Sequence, residues 1–157
     1  MGPLLLVWYD GWYMKSKSFS LDFAGKTLTA EFTDLTEQAS GSVLLKMGET
    51  AILVTATMSG RETPMPYFPL SVEFEEKFYA AGAILGSRFQ RREGRPSDEA
   101  ILSARIVDRT IRPLFDHTIR RDIQVVITVL AMGEDDPDVL GVIGASLALG
   151  VSDIPWA

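Results

Sequence analysis

The chain has 157 residues, no cysteine and a single histidine, His117; these counts exclude disulfides, thiolate zinc sites, cysteine nucleophiles and histidine-rich metal centres. With 46% hydrophobic residues, one domain can build a core. The net charge of −6 conceals a positive island: residues 88–112 carry seven of the 15 Lys plus Arg against four acids, a local +3 that leaves −9 elsewhere, which points to a localised polyanion site rather than a diffuse affinity for polyanions.

Residues 1–13 hold two of the three tryptophans, Trp8 and Trp12. They lack a basic n-region, and their apolar stretch is too short for a secretory signal. Met14-Lys15-Ser16-Lys17 reads as a natural start, so 1–13 is expected to be an extension. Ser18–Phe23 alternates with Phe19, Leu21 and Phe23 turned inward, and Thr27–Phe32 does so through Leu28, Ala30 and Phe32. With a turn at Ala24-Gly25 this predicts a hairpin. Ser42–Lys46 and Thr50–Met58 form a second pair about Met47-Gly48-Glu49, and the run 51–57, nearly continuous in apolar or β-branched residues, belongs in a sheet centre. Leu70, Val72 and Phe74 alternate with Ser71, Glu73 and Glu75, a strand with one wet face.

Gly82, Gly86, Gly94 and Pro96 break any periodicity over 79–96. Ser97 is the predicted cap of a helix with Asp98 and Glu99 in its first turn, which Pro113 stops after about Ile111. A strand over Ile123–Ala131 follows Asp122. Asp136 then caps a last helix with Pro137 as its first residue, and Gly141, Gly144, Ala145 and Ala148 give that helix a small face. The order predicts α+β, helices on one face of a mixed sheet. A strand is the natural next element, so the fold is expected to be incomplete at the C-terminus. No apolar run reaches the roughly 20 residues of a membrane span.

The chemistry concentrates in two places. The segment 86–96 sets Arg88, Arg91, Arg92 and Arg95 around Phe89 between glycines. Guanidinium forks match phosphates, an aromatic ring offers a base a stacking platform, and glycine lets backbone approach a ligand. That combination suits single-stranded nucleic acid. On the helix that follows, about 100° per residue puts Arg105, Arg109 and Arg112 in one sector. Ile101, Ala104, Val107 and Ile111 flank it on one side and Leu102 and Ile106 on the other. Such a strip lines a cleft or faces a partner; alternatively Asp108, at i+3 from Arg105 and i−4 from Arg112, pairs with both. Glu73, Glu75 and Glu76 read as a solvated row. Asp135, Asp136 and Asp138 lack calcium-loop spacing, and Gly48-Glu49 is a turn without a following Gly-Lys-Ser/Thr.

Several motifs occur together and in order: Gln38-Ala39-Ser40-Gly41, Phe68-Pro69-Leu70, Glu75-Glu76-Lys77-Phe78-Tyr79-Ala80-Ala81-Gly82, Arg92-Glu93-Gly94-Arg95-Pro96-Ser97, Asp108-Arg109-Thr110-Ile111-Arg112-Pro113-Leu114-Phe115, Ile143-Gly144-Ala145-Ser146 and Ser152-Asp153-Ile154-Pro155. They resemble the bacterial polynucleotide phosphorylases over about residues 17–156. The resemblance implies an RNase PH-like core (ribosomal protein S5 domain 2-like), the first of two in the full enzyme, with 14–157 a partial domain. It implies a polyribonucleotide nucleotidyltransferase, which degrades RNA from the 3′ end by attack of inorganic phosphate and releases nucleoside diphosphates. It further implies Mg2+ bound outside this stretch, a cytoplasmic homotrimer, and a central channel for single-stranded RNA.

Phe89-Gln90-Arg91-Arg92 matches the family's channel constriction, with Gln90 in place of a second aromatic and Arg88 as an extra residue. Ala83 and Leu85 depart from the family's lysine and proline. The RNA-binding residues implied are Arg88, Phe89, Gln90, Arg91, Arg92, Arg95, Arg105, Arg109 and Arg112, the last either on RNA or on Asp108. No residue matches a family catalytic acid, so this stretch alone is expected to be inactive. The rival readings are a non-catalytic RNA-binding or ring-scaffold subunit, and a relic whose arginines are consumed by Asp108.

Overall fold

The computed structural model describes residues 8–9, 12–13, 16–84, 86 and 96–156. Trp8–Tyr9 (β1) and Trp12–Tyr13 (β2) form a two-stranded ribbon separate from the main sheet. The main sheet begins with Ser16–Phe23 (β3) and Lys26–Thr33 (β4), an antiparallel hairpin. Its two turn residues, Ala24 and Gly25, both have positive φ, which is the backbone that a two-residue hairpin needs to match strand twist. Gly41–Met47 (β5) and Thr50–Glu62 (β6) make the second hairpin, closed by Gly48 at φ +57° and Glu49.

Leu70–Glu76 (β7) leads through a single 3-10 turn, Phe78–Ala81, towards the helix Asp98–Ile111 (α1). Arg121–Ala131 (β8) and the helix Pro137–Gly150 (α2) complete the order. The six strands lie as β3-β4-β5-β6-β8-β7. Every neighbouring pair is antiparallel except β7 and β8, which run parallel. A parallel pair needs a crossover, and the chain between β7 and β8 carries α1 over the sheet. The sheet is therefore mixed, and the architecture is the α+β arrangement expected.

One sheet face is apolar: Leu28, Val43, Leu45, Ile52, Val54, Ala56, Phe74, Ile123, Val125, Ile127 and Val129 are all buried. Burying each large side chain among them contributes about 1.5–3 kcal/mol. The helices cover this face, α2 over β5 and β6 and α1 over β7. They come close because α2 presents its small face. A Cβ on Gly144 would lie 2.6 Å from Val54 Cγ2, and one on Gly141 would lie 3.3 Å from Phe74 Cε2.

The helical layer does not reach β3. Phe19, Leu21 and Phe23 share the face of buried Leu28 and Ala30, yet Phe19 remains 61% exposed. The expectation that these three turn inward is corrected on coverage, not on side: alternation sets the face, and the helices end short of it. Among the described residues no helix is long and apolar enough to cross a membrane.

Candidate nucleic-acid interface

Helix α1 starts where the sequence says it should. Ser97 is extended, and its Oγ accepts the Ala100 N–H at 3.0 Å and donates to Glu76 Oε2 at 2.9 Å. That ties the cap to the end of β7. Asp98 and Glu99 add negative charge beside the unpaired N–H groups of the first turn.

The inward strip of α1 is Ala100, Ser103, Val107 and Ile111. It packs between β7 and the glycine face of α2, where Val107 Cγ2 lies 3.5 Å from the place a Gly141 Cβ would occupy. Ser103 satisfies its hydroxyl by donating to the Glu99 carbonyl at 3.0 Å. Of the residues that flank the arginines on that side, Val107 and Ile111 are buried and Ile101 is exposed.

The outward strip carries Leu102, Arg105, Ile106 and Arg109, spaced i, i+3, i+4 and i+7, so they form one contiguous patch. Leu102 is 57% exposed and Ile106 49%. Arg105 and Arg109 are exposed, and neither has an ion-pair or hydrogen-bond partner among the described residues. The patch is thus two free forks set among apolar side chains.

Arg112 is placed differently, and of the two readings open for it the structure shows pairing with Asp108. Nε reaches Asp108 Oδ2 at 3.0 Å and Nη2 reaches Oδ1 at 2.6 Å. Nη2 also donates to the Leu70 carbonyl at 3.1 Å, which ties the end of α1 to the start of β7. The guanidinium lies over the Phe68 ring at 5.8 Å. Phe68 in turn packs on Phe115, with centroids 5.2 Å apart, and stacks on His117 with planes 4° apart. His117 Nε2 approaches the Arg112 carbonyl at 3.2 Å, and Trp156 Nε1 donates to the Ile111 carbonyl at 3.4 Å. The Phe68 and Leu70 contacts were not read from sequence, because nothing local links those positions to Arg112.

Arg88, Phe89, Gln90, Arg91, Arg92 and Arg95 lie outside the described residues. The acidic row on β7 is partnered as well as wet: Glu73 accepts from Gln124, Glu75 pairs with Lys77, and Glu76 accepts from Ser97. Asp136 caps α2 by accepting the Asp138 N–H at 2.9 Å, and Asp135 pairs with Lys26. A groove of about 720 Å3 opens there, between the hairpin turns and the loop before α2. Both of its lysines are paired, Lys26 with Asp135 across the groove and Lys46 with Glu31 on β4. Among the described residues no three His, Cys, Asp or Glu side chains converge to hold a metal.

The family model for the 3′ exoribonuclease family, domain 1, matches residues 24–155. The chain belongs to that family. Among similar curated proteins, the polyribonucleotide nucleotidyltransferase of Deinococcus radiodurans is 54% identical over 92% of this chain, and that of Heliobacterium modesticaldum is 53% identical over 88%. This chain spans 18% and 20% of those relatives, about a fifth of their length. Two solved structures share the fold at a TM-score of 0.59, each over 90% of this chain. One is an Archaeoglobus fulgidus exosome with RNA bound to the active site (21% identity, 52% of that chain covered) and the other is rice Rrp46 (12% identity, 57% covered). The RNase PH-like core implied by the sequence motifs is therefore the fold observed.

Proposed function

We propose that this chain is the RNA-holding part of a phosphorolytic 3′–5′ exoribonuclease, with α1 gripping a single strand by its phosphates. The observation that carries the reading is the patch on α1, where Arg105 and Arg109 project without partners among the described residues, on an otherwise acidic chain. Unpaired guanidinium forks take phosphate oxygens in pairs. Leu102 and Ile106 beside them offer apolar surface to sugar and base. A single strand can turn its bases towards such a patch, whereas a duplex keeps them stacked inside. The relatives' name supports a nucleotidyl-transfer reaction, and the sequence resemblance adds inorganic phosphate as the second substrate.

Arg88, Phe89, Gln90, Arg91, Arg92 and Arg95 enter this reading on their sequence resemblance alone, as a constriction through which the strand passes before reaching α1. Magnesium assists the reaction in the family, but the described residues offer no cluster that fits it, so no step here is routed through it. The chemistry is assigned to residues that this stretch does not contain.

Two measurements test the reading. The chain should bind fluorescein-labelled single-stranded oligo(A) and bind a duplex of the same length more weakly; equal affinity for both would contradict it. Incubated with poly(A), phosphate and magnesium, the chain should release no ADP, and ADP release would show that it carries the chemistry after all.

A further inference from the structure

We propose that Arg112 is a positioning residue of the RNA site, which occupies Asp108 so that Arg105 and Arg109 stay free for phosphates. This inference rests on the reading of α1 given above. Asp108 is the one acid on α1 beyond its first turn, and it lies beside both free arginines, at i+3 from Arg105 and next to Arg109. Left alone, such a carboxylate competes with a phosphate for the nearest guanidinium.

Three features of the structure direct it to Arg112 instead. The acid stands four residues before the base, the stronger orientation for a helical pair, whereas Arg105 precedes Asp108 in the weaker order. The contact uses both carboxylate oxygens, at 3.0 and 2.6 Å, a bidentate geometry that orients the carboxylate towards Arg112. Finally, the Leu70 carbonyl at 3.1 Å and the Phe68 ring at 5.8 Å hold Arg112 from outside the helix, while nothing among the described residues holds Arg105. One arginine is thereby committed, and two keep their charge for the ligand.

The test is a cycle on the full 157-residue chain, read by anisotropy of labelled single-stranded oligo(A) across a salt series. Arg112→Met keeps a long side chain on Phe68 and removes the fork. It is expected to weaken binding about two- to fivefold, the worth of one exposed charge pair, and to flatten the salt slope by about 0.7, one phosphate contact on a single strand. Adding Asp108→Asn to it should restore both affinity and slope, because Arg105 then has no competitor. If the double variant stays weak with a flattened slope, Arg112 itself touches phosphate and the proposal is wrong.

Asp108→Asn alone keeps the question open to test even if Arg112→Met fails to fold. Affinity within about twofold of the parent chain is expected, since both free arginines are already available, whereas a rise of about fivefold or more would mean that Asp108 had been masking a phosphate-binding Arg112. Arg105→Ala/Arg109→Ala separates the two levels of the argument. If that variant binds as well as the parent, the RNA reading of α1 falls; if it binds weakly while the 108/112 cycle shows no coupling, only the positioning role falls.

Discussion

At the scale of single residues, the decisive contrast is between guanidiniums that are satisfied inside the protein and those that are not. Arg112 has a carboxylate, a carbonyl and a ring, and Arg105 and Arg109 have none of these among the described residues. A second residue-scale tie joins distant parts of the chain. Lys26, at the β3–β4 turn, donates to Asp135 in the loop before α2. The Lys26 pKa is raised, first by that hydrogen bond, which desolvation opposes and to which the charges of Asp135 and Glu134 add. A raised folded-state pKa means that the tie is fully present below the ordinary lysine value of 10.5 and is lost as pH rises through the folded value. The thermal midpoint of the parent chain should therefore fall across that alkaline window more than that of Lys26→Met; identical curves would show that the tie adds nothing. Asp116 has the opposite sign. The Thr118 backbone and side chain hold its carboxyl below the usual range, so its contribution is lost only as pH falls through that lowered value.

At the scale of elements, caps and close approaches carry the fold. Ser97→Ala removes the acceptor for the Ala100 N–H and the donor to Glu76. It should cost about 1 kcal/mol in chemical denaturation, and no loss would mean that the cap is dispensable. Gly144→Ala places a Cβ 2.6 Å from Val54 Cγ2 and 3.2 Å from Leu45 Cδ1. Both neighbours sit in a fully packed layer, so the variant should lose about 1–3 kcal/mol; an unchanged denaturation midpoint would show that α2 can lift off the sheet freely. These features were legible in the sequence because each has a local signature: a serine before two acids, an aspartate before proline, glycines at helical spacing. The hairpins were legible through alternation and their turn glycines. Helix coverage was not, since alternation says which side Phe19 and Leu21 face but not how far the helical layer extends. Nor was the inward strip of α1, because Ser103 is buried there although hydrophobicity does not mark it.

At the scale of the whole molecule, an acidic chain presents one basic helix face, and the sheet and α2 serve to hold that face rigidly outward. The positive island was visible from charge counting, and so was the possible role of Asp108 as a partner. Which arginine Asp108 would take was legible only in the i to i+4 order that favours Arg112; the hold of the Phe68 ring and the Leu70 carbonyl on it was not, since the fold brings them to the end of α1. The chain belongs to the 3′ exoribonuclease family and spans about a fifth of the length of its nucleotidyltransferase relatives. The most direct test of the central claim is the salt dependence of single-stranded RNA binding. Against the parent chain, Arg105→Ala/Arg109→Ala should lower the slope of log affinity on log salt by about 1.4, two phosphate contacts at 0.7 each. The same slope for both proteins would show that these guanidiniums do not hold the strand.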